Sequence, residues 1–157
     1  MKNKRLKHLI ILIILSCVFF ILGNNIFSIT NPDEVFYVQT AKEMVQDKSW
    51  LTPYYLFDKP QFEKPIFIYL ILRLEFILFG FSKFAVRLFP SLFGMAGVIA
   101  VYFLSLIGFG DERKAFISSL VLASSFLYIG LSRIVLTDMV FSVFILFSLL
   151  SFLWGYL

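Results

Sequence analysis

The residues that could do chemistry are concentrated in one segment of this chain. Six of its ten acidic residues lie between positions 31 and 65. This segment opens with the adjacent acids Asp33 and Glu34 and closes with Glu63 and Lys64. A carboxylate can serve as a general base, and a lysine held at a membrane surface suits an anionic phosphate group. We therefore expect any chemistry to take place in this segment.

Each of these residues also has a purely structural interpretation, which stays open at this point. Asn31, Pro32 and Glu34 together form a typical helix start, because they supply an N-cap, a first helical proline and a capping-box acid. An isolated pair such as Glu63 and Lys64 is usually a solvated ion pair of little energy. Farther along, Arg133 and Asp138 flank a helix end, where an arginine commonly extends toward the interface.

The composition places these residues in a membrane protein. The chain has 157 residues, of which 60% are hydrophobic and 21 are Phe, whereas soluble domains are about 45–50% apolar. The net charge of +4 is scattered in short groups, without the basic stripe of a nucleic-acid binder, so nucleic acid is excluded as a partner. The single Cys17 rules out an internal disulfide.

Hydropathy predicts an all-α, polytopic protein with about four transmembrane helices. Each candidate approaches the roughly 20 apolar residues that a bilayer core requires. They are 9–29, 84–109, 115–136 and 139–157. The basic residues of 1–8 should keep the N-terminus in the cytoplasm. The first span has no clear cleavage site and is expected to be an uncleaved anchor. Residues 30–83 would then form an outer loop, and 110–114 a cytoplasmic one.

Two juxtamembrane helices are expected within the outer loop. Apolar residues at helical spacing predict an amphipathic helix over 33–48, with Glu43 among the residues of its polar face. The apolar run 66–81 is shorter and carries Arg73 and Glu75 in its middle. Each charge would cost roughly 2.5–3.5 kcal/mol at the centre of a bilayer. We therefore expect a helix over 66–80 that lies at the interface and does not cross.

An ordered series of motifs resembles the polyprenyl-phosphate-sugar-dependent glycosyltransferases of the GT-C class. The nearest groups are the bacterial aminoarabinose-to-lipid-A transferases and the protein O-mannosyltransferases (glycosyltransferase family 39 type). The motifs are Asp33-Glu34-Val-Phe-Tyr37, Ala41-Lys-Glu-Met44, Trp50-Leu-Thr-Pro53, Phe62-Glu-Lys-Pro65, Phe84-Ala-Val-Arg-Leu88 and Leu136-Thr-Asp138. Because family members are several times longer, and the last apolar run reaches Leu157 without a charged stop, we expect the N-terminal portion of such an enzyme.

The resemblance implies an inverting transfer of a sugar from a polyprenyl-phosphate donor to a lipid, glycan or protein acceptor. It places the enzyme in the cell membrane, by expectation the bacterial inner membrane, with the chemistry at its outer face. Asp33 would be catalytic and Lys64 would bind the donor phosphate. Asp138 and Glu34 would form a second acidic site, with Glu63, Tyr37 and Arg133 in support. A divalent metal on Asp33, Asp138 or Glu63 stays open.

Two departures leave the substrate open. Phe36 stands where the aminoarabinose group commonly has Arg, and Gln61 stands where it commonly has Tyr. The sugar and the acceptor are therefore not specified. The alternative function is a small non-catalytic membrane protein, or a degenerate paralogue, that acts as an assembly partner.

Overall fold

The computed structural model describes residues 2–26, 28–29, 31–47, 50–56 and 59–156, without the side chains of Lys2 and Lys59. It is almost entirely α-helical, which confirms the predicted class. The contacts divide the chain into two compact units. The first comprises residues 1–22, 90–133 and 138–157, and the second comprises 23–89 and 134–137.

Seven α-helices and one short hairpin are described. In chain order they are α1 (Lys2–Ser16, continued by a π-helical turn, Cys17–Ile21), α2 (Pro32–Gln46), β1 (Tyr54–Tyr55), β2 (Lys59–Pro60), α3 (Ile66–Phe79), α4 (Lys83–Phe109), α5 (Glu112–Ser124), α6 (Phe126–Leu131) and α7 (Thr137–Tyr156). Strands β1 and β2 pair antiparallel, Tyr54 with Pro60 and Tyr55 with Lys59. The sequence patterns did not predict this hairpin.

Two helices in the described part of the chain, α4 and α7, are long and apolar enough to cross a membrane. The other two predicted spans are interrupted. The first leaves α-helical geometry after Ser16 and ends at Ile21, well before the predicted limit of 29. The third is divided into α5 and α6 by Ser125, whose backbone is extended. The structure thus supports membrane-spanning helices without establishing four of them.

In the first unit, α1 runs antiparallel to α4. Near the start of α1, Arg5 forms an ion pair of 2.7 Å with Glu112, just beyond α4. At the other end of α1, the Ser91 hydroxyl donates to the Phe20 carbonyl oxygen at 2.8 Å. Helix α4 and the α6 segment lie close at Gly94, whose carbonyl accepts a 2.8 Å hydrogen bond from the Tyr128 hydroxyl. A Cβ at Gly94 would collide with the Ser132 side chain, so glycine permits this approach.

In the second unit, α2 packs against α3. Arg73 and Glu75 of α3 are only 4% and 6% exposed, so the two charges that argued against a crossing helix face protein. The exposed residues of α3 are instead apolar: Phe67, Leu74, Ile77, Leu78 and Phe79. Such a helix suits a position where protein covers one side and hydrocarbon the other.

The predicted polar face of α2 is wrong at one residue. Glu43 is fully buried, and its Oε1 accepts hydrogen bonds from the Gln39 amide at 2.7 Å and the Leu56 backbone N–H at 3.0 Å. A buried carboxylate requires such partners. Leu56 has a positive φ of 56°, and Glu43 thus holds a strained turn that the helical periodicity could not reveal.

Candidate functional site

The candidate site is built on the first turn of α2. Asn31 is the N-cap, and its Oδ1 accepts a hydrogen bond of 3.0 Å from the Asp33 N–H. Pro32 occupies the first helical position, where its missing N–H costs nothing. The structural interpretation of this motif is therefore confirmed for Asn31 and Pro32. It leaves the Asp33 carboxylate exposed at the positive end of the helix dipole.

The neighbouring acid has the opposite environment. Glu34 is 2% exposed and forms a two-point ion pair with Arg87 of α4, with Nε–Oε1 at 3.2 Å and Nη2–Oε2 at 3.4 Å. Its Oε1 also accepts the Val135 N–H at 3.4 Å. Arg87 donates in addition to the Ser28 carbonyl oxygen at 3.1 Å. Glu34 therefore ties the start of α2 to α4.

A second group of site residues surrounds Tyr37, one helical turn after Asp33. The Lys64 Nζ lies 5.9 Å from the centre of the Tyr37 ring, within cation–π range. The Tyr37 and Tyr69 rings lie 5.8 Å apart, and Glu63 is close enough to Tyr69 to affect its ionisation. Residues four apart on a helix share a face, so Asp33 and Lys64 both adjoin Tyr37.

Tyr69 belongs to none of the sequence motifs, and the structure adds it to this group. Its side chain is fully buried, and its hydroxyl has no hydrogen-bond partner among the described residues. Burial raises the pKa of this phenol, and the nearby Tyr37 and Glu63 raise it further, so Tyr69 is a neutral hydrogen-bond donor. The signal that could have indicated Tyr69 is its position five residues after Lys64. It lies in the first turn of α3 after Pro65, and α3 packs against α2.

The segment before this group is fixed to the two helices. The Arg73 guanidinium carbon lies 3.9 Å from the centre of the Trp50 ring, a stacked cation–π contact. The Gln61 N–H donates to the Pro53 carbonyl oxygen at 2.7 Å. Together with Glu43, these contacts hold residues 50–56 and 59–61 beside α2 and α3.

The remaining predicted residues belong to the first unit. Arg133 donates to the Phe19 and Leu22 carbonyl oxygens, both at 2.8 Å, and so caps the end of the first helix. Asp138 is exposed in the first turn of α7. Within the described ranges, no group of three His, Cys, Asp or Glu side chains could hold a metal ion.

These features define a helical membrane protein with an acid-bearing segment between its first helix and α4. Residues 63–156 match the family model described as dolichyl-phosphate-mannose-protein mannosyltransferase. The chain belongs to that family.

Curated relatives extend the likeness beyond the matched segment. A protein of Aquifex aeolicus, described only as uncharacterized, is 33% identical over 94% of this chain and 29% of its own length. Undecaprenyl phosphate-α-4-amino-4-deoxy-L-arabinose arabinosyl transferases are similar too. The enzyme of Photorhabdus laumondii is 34% identical over 79% of this chain and 22% of its own length. The enzyme of Wigglesworthia glossinidia is 29% identical over 96% of this chain and 27% of its own length. The chain thus spans less than a third of these relatives, and no solved structure matches it.

Proposed function

We propose that this chain provides the donor-binding and catalytic residues of a membrane glycosyltransferase that takes its sugar from a polyprenyl phosphate. The observation that carries the proposal is that Lys64 lies 5.9 Å from the ring of Tyr37, which stands one helical turn after the exposed Asp33 on α2. The relatives named as undecaprenyl-phosphate-aminoarabinose transferases support a donor of this chemical class. The sugar and the acceptor are left open.

The proposed reaction is a single displacement. The Asp33 carboxylate takes the proton of an acceptor hydroxyl while that oxygen attacks the anomeric carbon. The bond from this carbon to the phosphate oxygen breaks, and the configuration at the sugar inverts. The Lys64 ammonium stabilises the negative charge on the departing polyprenyl phosphate. Glu34 keeps Asp33 in place through Arg87, and Tyr37 orients Lys64.

Replacing Asp33 tests this role. Asp33→Asn keeps the shape and the Asn31 cap but removes the base, so sugar transfer should fall about 10²–10⁴-fold. The assay follows labelled sugar from undecaprenyl-phosphate-linked aminoarabinose, and from polyprenyl-phosphate mannose, in native membranes. Asp47→Asn, at the exposed far end of α2, is the matched control and should leave transfer unchanged. Undiminished transfer by Asp33→Asn, with whichever of these donors the unsubstituted protein uses, would contradict the role proposed for Asp33.

We also propose that four segments cross the membrane, with α2 and α3 beside its outer surface and Asp138 on the same side as Asp33. The Arg5–Glu112 ion pair supports this topology, because it puts both residues on the same side of the membrane. The chain between them must then cross the membrane an even number of times. If α1 and α4 both cross, α3 does not. Arg113 and Lys114 then also obey the positive-inside rule.

Single-cysteine labelling tests the topology. In a Cys17→Ala background, which removes the one cysteine, an impermeant thiol reagent added outside should label Asp138→Cys but not Glu112→Cys. Permeabilised cells should label both and thereby control for accessibility. The reverse pattern would mean that α3 crosses. A cysteine at Asp58, in the same outer loop, should also be labelled from outside; this position lies outside the described residues.

A further inference from the structure

One end of the first unit contains a basic cavity that the proposed reaction does not use. Its volume is about 860 Å³. Three of its cations, Lys4, Arg5 and Lys7, come from α1, and the fourth, Arg113, comes from α5. The acids at this cavity are Asp111 and Glu112, and His8 is also present.

The charges in this cavity do not cancel. Glu112 is engaged by Arg5 at 2.7 Å, and the Asp111 carboxylate accepts the Arg113 backbone N–H at 2.7 Å. Four cationic side chains therefore face two carboxylates, which leaves an excess of two positive charges among these six side chains. Lys4, Lys7 and Arg113 are all exposed to solvent, so an anion can reach them.

An apolar groove adjoins the basic cavity. Its volume is about 380 Å³, within the range of small-molecule sites. Phe103, Leu106 and Ile107 of α4 line it together with Trp154 of α7. Arg5 lines both the groove and the basic cavity, so a single elongated molecule could occupy the two together.

We propose that this composite site binds an anionic glycerophospholipid. The phosphate headgroup lies among Lys4, Lys7 and Arg113, and one acyl chain packs along the groove beside Trp154. Charge complementarity selects an anionic headgroup, and a free inorganic phosphate would leave the apolar groove unused. Basic pockets between transmembrane helices on the cytoplasmic side bind anionic lipids in this way. The site lies at the end of the unit that contains the N-terminus, and it is independent of the glycosyltransferase proposal.

Trp154 provides a direct measurement. The chain has two tryptophans, so Trp50→Phe leaves Trp154 as the sole tryptophan, and Trp50 belongs to the other unit. The protein is reconstituted in phosphatidylcholine vesicles that contain a minor fraction of acyl-chain-brominated lipid. Brominated phosphatidylglycerol should quench Trp154 at a lower fraction than brominated phosphatidylcholine does. High salt should weaken this preference, because it screens the exposed cations.

A charge-removing pair of variants then locates the headgroup. Lys4→Gln/Lys7→Gln should lower the preference for phosphatidylglycerol by at least about fivefold. The loss of one lysine near an anionic surface already weakens binding by about that factor. Lys42→Gln/Lys83→Gln removes the same charge in the other unit and should leave the preference intact. Equal quenching by the two brominated lipids would overturn the proposal. A preference for phosphatidylglycerol that survives both high salt and the Lys4/Lys7 substitutions would also overturn it. The absence of quenching by either lipid would overturn it too, because it would mean that another segment or protein covers the groove.

Discussion

Replacing Arg87 should destabilise the second unit more than any exposed substitution on α4. Arg87 and Glu34 are 5% and 2% exposed, and their side chains meet at two points. In Arg87→Met, the Glu34 carboxylate would lose both contacts with the guanidinium and would retain the hydrogen bond from the Val135 N–H at 3.4 Å. Removing one partner of a buried ion pair costs about 3–5 kcal/mol. That is a large part of the 5–15 kcal/mol typical of a domain.

The double variant separates the ion pair from simple loss of packing. In Glu34→Met/Arg87→Met no charge is left uncompensated, and buried ion pairs can be exchanged for apolar pairs at little or no cost. The double variant should therefore be more stable than Arg87→Met alone. Lys83→Met lies one turn earlier on α4 and is exposed, so it should change the free energy of unfolding by less than about 0.5 kcal/mol.

Trp50 reports this unfolding directly, because it stacks on Arg73 within the same unit. In a Trp154→Phe background, its fluorescence is followed in mixed micelles as sodium dodecyl sulfate is increased. A cost of less than about 1 kcal/mol for Arg87→Met would refute the stabilising role of the ion pair, and so would simple additivity of the two single substitutions. If Arg87→Met does not fold while the double variant does, the ion-pair argument is supported directly.

Two further predictions concern buried polar groups of α3. Tyr69→Phe removes a hydroxyl without a partner in the described structure, so the protein should be equally stable or more stable. A fall in the affinity for the sugar donor in this variant would show that the hydroxyl binds the donor. Burial raises the pKa of Glu75 to about 8, partly opposed by a hydrogen bond from the Phe89 backbone. The folded protein thus holds this proton more tightly than the unfolded chain. Stability should fall as pH rises from about 4.5 to 8, and Glu75→Gln should flatten that fall, as measured by the Trp50 assay. An unchanged pH profile in Glu75→Gln would show that this carboxyl is ionised in the folded state.

The sequence predicted the helices well where one physical signal dominated. Long apolar runs gave α4 and α7 within two residues of their limits, since a span of hydrocarbon requires a continuous helix. The N-cap at Asn31 gave the start of α2 within one residue, and α3 ends at Phe79, one residue before its predicted limit, because Gly80 has a φ of 72°. These limits depend on local backbone chemistry, which a sequence records directly.

Tertiary contacts account for what the sequence could not predict. The burial of Glu43 depends on Leu56, which lies in a turn without periodicity. The Glu34–Arg87 pair joins residues 53 positions apart. Periodicity assigns a polar residue to a polar face, and only the packed structure reveals a carboxylate turned inward to its partners.

The adjacent acids Asp33 and Glu34 show how these two levels combine. As a dipeptide at a helix start they are equivalent in charge, and both were assigned to the site. The helix rotates them about 100° apart, so that Glu34 meets Arg87 while Asp33 is left exposed. Glu34 is then committed to holding α2 against α4, and the free carboxylate available for chemistry at this turn is that of Asp33. Exchanging the two, as Asp33→Glu/Glu34→Asp, would shorten the side chain that reaches Arg87. We therefore expect this exchange to impair both folding and transfer even though it preserves every charge.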